Sequence, residues 1–222
     1  MANPRAFLIL LAVLVCLVSL LGPACGAEFS SVSVINGASS STTGITYVRG
    51  HSFRSETVRH HQRSIMILDG KEHMLWFLDP ARKTYYGEKV PGEELAAKLE
   101  ALTGMSPEAK ARTAQRHGMS VRRLGTEKVA GYPCEKTVTE GSGFATTTWF
   151  SRRLEFFLRE ESTVSTGYGT ATLRKEYRNV KERRLDPSLF RPPTGYTRVS
   201  PPARGARRPV PKRGASAPAP PR

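Results

Sequence analysis

Along most of the chain, hydrophobic and polar residues alternate with a period of two. Val32 and Val34 alternate with Ser31 and Ser33, the signature of a strand with one buried face. Residues 44–48 and 52–59 read as further strands parted by Arg49-Gly50. Two runs break the alternation: Ile65-Met66-Ile67-Leu68 and Met74 to Leu78 are apolar at nearly every position, so both faces of these strands should be covered. Asp69-Gly70 between them predicts a tight hairpin, because both turn positions of that type need positive φ. Asp79-Pro80 punctuates the next turn, before Lys83-Thr84-Tyr85-Tyr86.

The period then changes. Leu95, Leu99 and Leu102 recur at i, i+4 and i+7 after Pro91 and the acidic pair Glu93-Glu94, which predicts a helix that ends at Thr103-Gly104. A second helix should start at Ser106 as N-cap, with Pro107 in first position and Glu108 in the first turn, and stop at Gly118. Strand patterns resume over 119–129, 132–139, 144–150, 154–159 and 170–180, with turns at Gly131-Tyr132-Pro133 and Gly141-Ser142-Gly143. The expected fold class is mainly β with minor α. It would be a curved antiparallel sheet of about ten strands, an incomplete barrel, whose apolar concave face is covered by one or two helices.

The two ends differ from this body. Residues 1–27 carry one cation, Arg5, an apolar run from Phe7 to Leu21, the breaker Gly22-Pro23 and the small residues Ala24-Cys25-Gly26-Ala27 before Glu28. That order is a secretory signal peptide, and the run falls short of the ~20 residues a spanning helix needs. The expected location is the periplasm or outside the cell. Lipidation at Cys25 is the less favoured alternative, because the expected leucine, Leu21, stands one position too early. From Ser200 to Arg222 the chain is Pro, Ala, Gly, Ser and cations with one valine, no aromatic residue and no acid, a composition that predicts a disordered basic tail. Residues 28–199 are then one domain.

Charge changes the list of partners. The 222 residues carry a formal net charge of +15; six tail cations and Arg5 account for seven of these, leaving +8 on the body. Arg204, Arg207, Arg208, Lys212 and Arg213 are candidates for meeting an anionic envelope surface, and the pairs Arg122-Arg123, Arg152-Arg153 and Arg183-Arg184 should each present one arginine on either face of a strand. Export and the lack of a binding motif argue against nucleic acid. The bland alternative is a solvated, soluble surface.

Candidate chemistry is sparse. After signal cleavage Cys134 is a lone cysteine and reads as a small buried hydrophobe. Adjacent His60 and His61 point to opposite faces of a strand, and no metal-ligand spacing, phosphate loop or nucleophile motif is present, so no metal, cofactor or catalytic residue is expected. Ile65, Ile67, Met74, Trp76, Leu78 and Trp149 are the candidates for lining a greasy pocket; the competing reading is a filled core needing no ligand.

Several segments share an order with a known family. Residues 47–56 (YVRGHSFRSE), 65–69 with 74–85 (IMILD and MLWFLDPARKTY), 129–136 (VAGYPCEK), 147–151 (TTWFS) and 185–196 (LDPSLFRPPTGY) are similar to motifs of the exported bacterial domain of unknown function 4412. That family has relatives in the periplasmic lipoprotein carriers LolA and LolB. The resemblance spans about Glu28 to Val199 and implies an incomplete β-barrel wrapped around helices, with a cavity that holds acyl chains in the carriers. No single residue aligns with the carriers' lid arginine, and fold analogy alone does not give function. The expectation is a monomeric, non-enzymatic periplasmic protein that binds a lipid or other hydrophobic ligand. The alternative is an envelope interaction protein with a filled core, acting through its basic surface and tail.

Overall fold

The computed structural model describes residues 27–37, 40–59, 61–167 and 169–202. The signal-peptide expectation, Ala27 apart, and the five tail cations lie outside these residues. Among the described residues the chain forms two helices and one open, curved sheet of twelve strands. The expected fold class is what is found.

Six strands come first: β1 (Glu28–Asn36), β2 (Ser41–Arg49), β3 (Ser52–Arg59), β4 (Gln62–Asp69), β5 (Met74–Asp79) and β6 (Thr84–Lys89). Helices α1 (Gly92–Thr103) and α2 (Pro107–Arg116) follow. Then come β7 (Ser120–Val129), β8 (Tyr132–Gly141), β9 (Phe144–Ser151), β10 (Phe156–Thr166), β11 (Gly169–Glu182), a 3-10 turn (Pro187–Phe190) and the two-residue β12 (Thr197–Arg198). Each meander pairs neighbour with neighbour, and β11 returns to pair antiparallel with β1, so the two meanders join through the middle of the sheet. β7 is one edge; β12, running parallel to β6, blunts the other.

Register explains the core. Phe29, Val48, Phe53, Leu68 and Leu75 stand opposite one another across β1 to β5 and therefore share a face. Leu95, Leu99 and Leu102 of α1 pack on that cluster, which continues through Phe150, Phe156, Phe157 and Tyr177. This helix-covered side is the inner face. Phe156 is the hinge of the packing: its ring meets Phe29 at 5.2 Å and Tyr177 at 4.7 Å, both edge to face.

The apolar run of β4 is covered on both faces, as its pattern predicts. Met66 and Leu68 point inward to the helix side; Ile65 and Ile67 point outward. The outer cover is the segment after β11, whose Leu185, Leu189, Phe190 and Tyr196 lie on Ile65, Ile67 and Leu78. Arg54 secures this strap by donating from Nη1 to the Leu189 carbonyl at 2.7 Å.

Several local expectations need correction. The Asp69-Gly70 hairpin is not a two-residue turn: Asp69 pairs with Met74, four residues intervene, and His73 takes the positive φ. Asp69 Oδ1 accepts from the Lys71 and Glu72 amides, an Asx-type turn. Gly70 is there for room, since a Cβ would lie 2.3 Å from the His51 carbonyl oxygen. Arg152-Arg153 lies in the β9–β10 turn and Arg183-Arg184 follows the end of β11, so neither pair sits on a strand. His61 lies in the β3–β4 turn with positive φ, and His60 lies outside the described residues. β10 begins at Phe156 and runs on through a polar stretch to Thr166. The helix boundaries are as expected: Ser106 Oγ accepts from the Ala109 amide at 3.2 Å, and Gly104 and Gly118 take positive φ.

Candidate functional site

The inner face of β8 to β11 is not filled by the aromatic core along its whole length. Its register sets a polar row across four strands: Thr137 opposite Thr148, Thr148 opposite Glu160, and Glu160 opposite Lys175. Thr139 and Thr146, also opposite one another, stand beside that row. The end of α1, at Glu100 and Ala101, and the side of α2 that carries Lys110, Thr113 and Ala114 lie over these side chains. Between helices and sheet lies a half-open cavity of about 340 Å³ with mostly apolar walls, among them Met105, Met119, Phe144 and Phe157.

Local sequence explains how the helices come to sit there. Gly104 ends α1 directly on Phe157, where a Cβ would stand 2.6 Å from the ring. Two residues later Ser106 starts α2, so the helix axis turns within one short connection. Positions 110, 113 and 114 fall on one side of α2 and face the cavity; Ala114 is buried beneath the helix. On the far side of α2, Glu108 forms ion pairs with Arg123 of β7 and Arg152 of the β9–β10 turn, and Arg152 also reaches Glu135 of β8. Hydrogen bonding to Arg152 holds the Glu108 carboxyl down at about 2, so the tether is charged at any physiological pH.

Four ionisable groups line the cavity, one of which, Glu100 of α1, is exposed to solvent. Lys110 comes down from α2 and donates from Nζ to Thr148 Oγ1 at 2.5 Å. Lys175 rises from β11, its Nζ 4.8 Å from the Phe157 ring and 5.2 Å from the Tyr177 ring. Glu160 stands beside Lys175 on the neighbouring strand. Burial lowers both lysine pKa values, and the charge of Glu160 only partly offsets it. Among the described residues, none of the four joins a salt bridge within 4.0 Å. Thr139, which also lines the cavity, has a buried hydroxyl with no hydrogen-bond partner.

The residues nominated from sequence sit elsewhere. Ile65, Ile67 and Leu78 are buried on the outer face under the strap, with Trp76 packed against them. Trp76 meets Tyr85 edge to face at 5.6 Å and leaves its indole N–H unpartnered. Met74 approaches the same side, beside Gly87. Trp149 points away from the cavity as well: Lys136 and Arg159 lie over its ring at 4.8 and 5.2 Å, and its Nε1 donates to Glu127 at 2.9 Å. None of the six lines the cavity; the strand runs that look greasiest are the ones the strap seals. Cys134 is buried and free, and burial pushes its thiol up to about 11, which makes it a poor nucleophile. No group of three metal-ligating side chains and no helix long and apolar enough to cross a membrane occurs among the described residues.

Sequence reasoning missed Lys110, Thr139, Glu160 and Lys175. Each sits in a polar stretch that reads as solvated surface, and only strand register brings Glu160 and Lys175 together.

The fold and the cavity define an open half-barrel with helices lying in its mouth. No family model and no curated protein matches the chain. Among solved structures, an uncharacterized conserved protein from Thermus thermophilus is similar over 78% of this chain and 90% of its own, at 12% identity and a TM-score of 0.51, which shows a shared fold. MucB in complex with the periplasmic part of MucA aligns over 78% of this chain and 57% of its own, at 14% identity and a TM-score of 0.47. A putative outer membrane lipoprotein-sorting protein domain from Vibrio parahaemolyticus aligns over 74% and 89%, at 12% identity and a TM-score of 0.31.

Proposed function

We propose that this chain is an exported, non-enzymatic binding protein of the cell envelope that holds a lipid or other hydrophobic ligand in the cavity between its helices and its sheet. One observation carries the reading. A space of about 340 Å³ with mostly apolar walls opens beneath α2. Small-molecule sites begin at about 300 Å³ and are lined in this way, apolar with a few placed polar groups. The protein works as a monomer and needs no cofactor. The leader predicted from sequence would deliver it to the periplasm, and the cationic tail would keep it near an anionic surface.

Native mass spectrometry of the mature protein purified from the periplasm, followed by lipid extraction, tests this. A co-purifying hydrophobic species is expected, and it should be lost when Thr113→Trp fills the cavity from α2 in a protein that keeps its circular dichroism. An apo mass that persists after incubation with envelope extract overturns the reading. It would leave the alternative, in which the basic surface and the cations Arg204, Arg207, Arg208, Lys212 and Arg213 do the work.

A further inference from the structure

Resting on that reading, we propose that the ligand is a single-chain amphiphile with an anionic head, a carboxylate or a phosphate, held between Lys110 and Lys175. The apolar chain lies along Met105, Met119, Phe144 and Phe157.

The argument begins with an imbalance. Two ammonium groups and two carboxylates line the same largely apolar space, but Glu100 is exposed to water, so among the sheltered groups two lysines face the single carboxylate of Glu160. A cation removed from water needs a partner, and its desolvation is costly without one. Lys110 makes a single hydrogen bond, to a neutral hydroxyl, and Lys175 has only the faces of two aromatic rings. An ammonium has three donors, so both retain unused ones. Thr139, itself 8% exposed, adds a buried hydroxyl with no partner. Unused donors on two elements, converging on one space from above and below, are what an oxyanion head requires.

Other head groups fit less well. An uncharged amphiphile would desolvate both ammoniums further and return at most a neutral hydrogen bond. A cationic one would meet two lysines beside the single sheltered carboxylate, Glu160. The cavity volume, at the low end of the range for small-molecule sites, limits the tail to one chain.

Displacement of the neutral apolar probe N-phenyl-1-naphthylamine from the mature protein separates this inference from the reading beneath it. Dodecanoate, dodecyl phosphate, dodecanol and dodecylamine are the competitors. Dodecanoate or dodecyl phosphate is expected to displace the probe at concentrations about tenfold or more below dodecanol, the worth of one charge-assisted hydrogen bond; whichever of the two leads identifies the head. Dodecylamine should be weakest. Lys110→Met with Lys175→Met should still bind the probe but lose the preference for anions, and Glu160→Gln should enlarge it. Probe uptake with dodecanol as effective as both anions overturns the anionic head and leaves the cavity reading standing. A wild-type protein that takes up no probe overturns both. Should the double lysine variant fail to fold, the wild-type ratios and Glu160→Gln decide the matter.

Discussion

At the scale of single residues, the outer face shows how little freedom the sequence has. Gly87 of β6 is not in a left-handed conformation; it is glycine because the Trp76 ring lies across it, and an added Cβ would stand 2.2 Å from Cε3. Gly87→Ala must displace a packed indole, and overfilling of this kind costs about 1–3 kcal/mol, measurable as a lower urea midpoint with unchanged slope. Glu56 is a second fixed point. Its carboxylate and Arg54 are both nearly buried, 2.7 Å apart, and Arg63 closes over them from solvent. Burial would raise the Glu56 pKa, but hydrogen bonds and charge from Arg63 and Arg54 outweigh it, so the value is lowered. A carboxylate whose folded value lies below its unfolded one stabilises the fold above the unfolded value and loses that contribution as pH falls through the folded value. Glu56→Gln should therefore cost roughly 3–5 kcal/mol at neutral pH, because it leaves Arg54 buried and unpaired. The gap between variant and wild type in urea titrations should narrow below about pH 4. Neither constraint could be read from sequence: Gly87 has no turn signal around it, and Arg54-Ser-Glu56 reads as an ordinary solvated strand edge.

At the scale of elements, legibility followed the range of the interaction that decides each one. The helix boundaries were readable because caps are local: Ser106, Pro107 and Gly118 act within four residues of themselves. Ser106→Ala removes the acceptor for the Ala109 amide and should cost about 1 kcal/mol, seen as a drop in Tm. If α2 roofs the ligand cavity, the same change should also weaken uptake of an apolar probe more than the stability loss alone explains. The run 65–68 was legible as a strand covered twice, since it has no polar face to leave in water. What covers it was not legible, because the strap lies more than a hundred residues away in the chain. The same limit hid the cavity. Thr139 and Thr146 face each other across β8 and β9, Glu160 and Lys175 across β10 and β11, and α2 brings Lys110 over all four. Each of these side chains lies in a polar local stretch, so periodicity assigns it to the surface. Apolar strand runs marked where the core is filled, while the candidate site lies where the pattern is weakest.

At the scale of the whole molecule, an open sheet has to solve two problems that a closed barrel does not have: its outer face and its edges. The inner face is covered by α1, α2 and the aromatic cluster. On the β7 to β11 side, the outer face carries a solvated network in which Glu176 meets Arg159, Arg174 and Arg178, and Glu127 meets Lys136 and Arg159. On the β3 to β6 side the outer face is apolar around the buried Arg54–Glu56 pair, and the strap covers it before ending as β12 on the β6 edge. Ending the chain after Arg183 would uncover Ile65, Ile67 and Leu78, remove Leu185 and Phe190 from the same cluster, leave Arg54 without the Leu189 carbonyl, and free the β6 edge. Burial of each such side chain contributes about 1.5–3 kcal/mol. Five of them together approach the whole stability of an ordinary domain, roughly 5–15 kcal/mol. The shortened protein is therefore expected to lose cooperative thermal unfolding and to associate through the exposed strand edge. A chain ended after Pro202 keeps every strap contact and should unfold as the full-length protein does. Calorimetry and light scattering on the two truncations decide the point. If the shorter one unfolds cooperatively near the full-length Tm, the strap is an appendage and the sheet holds its outer face by other means.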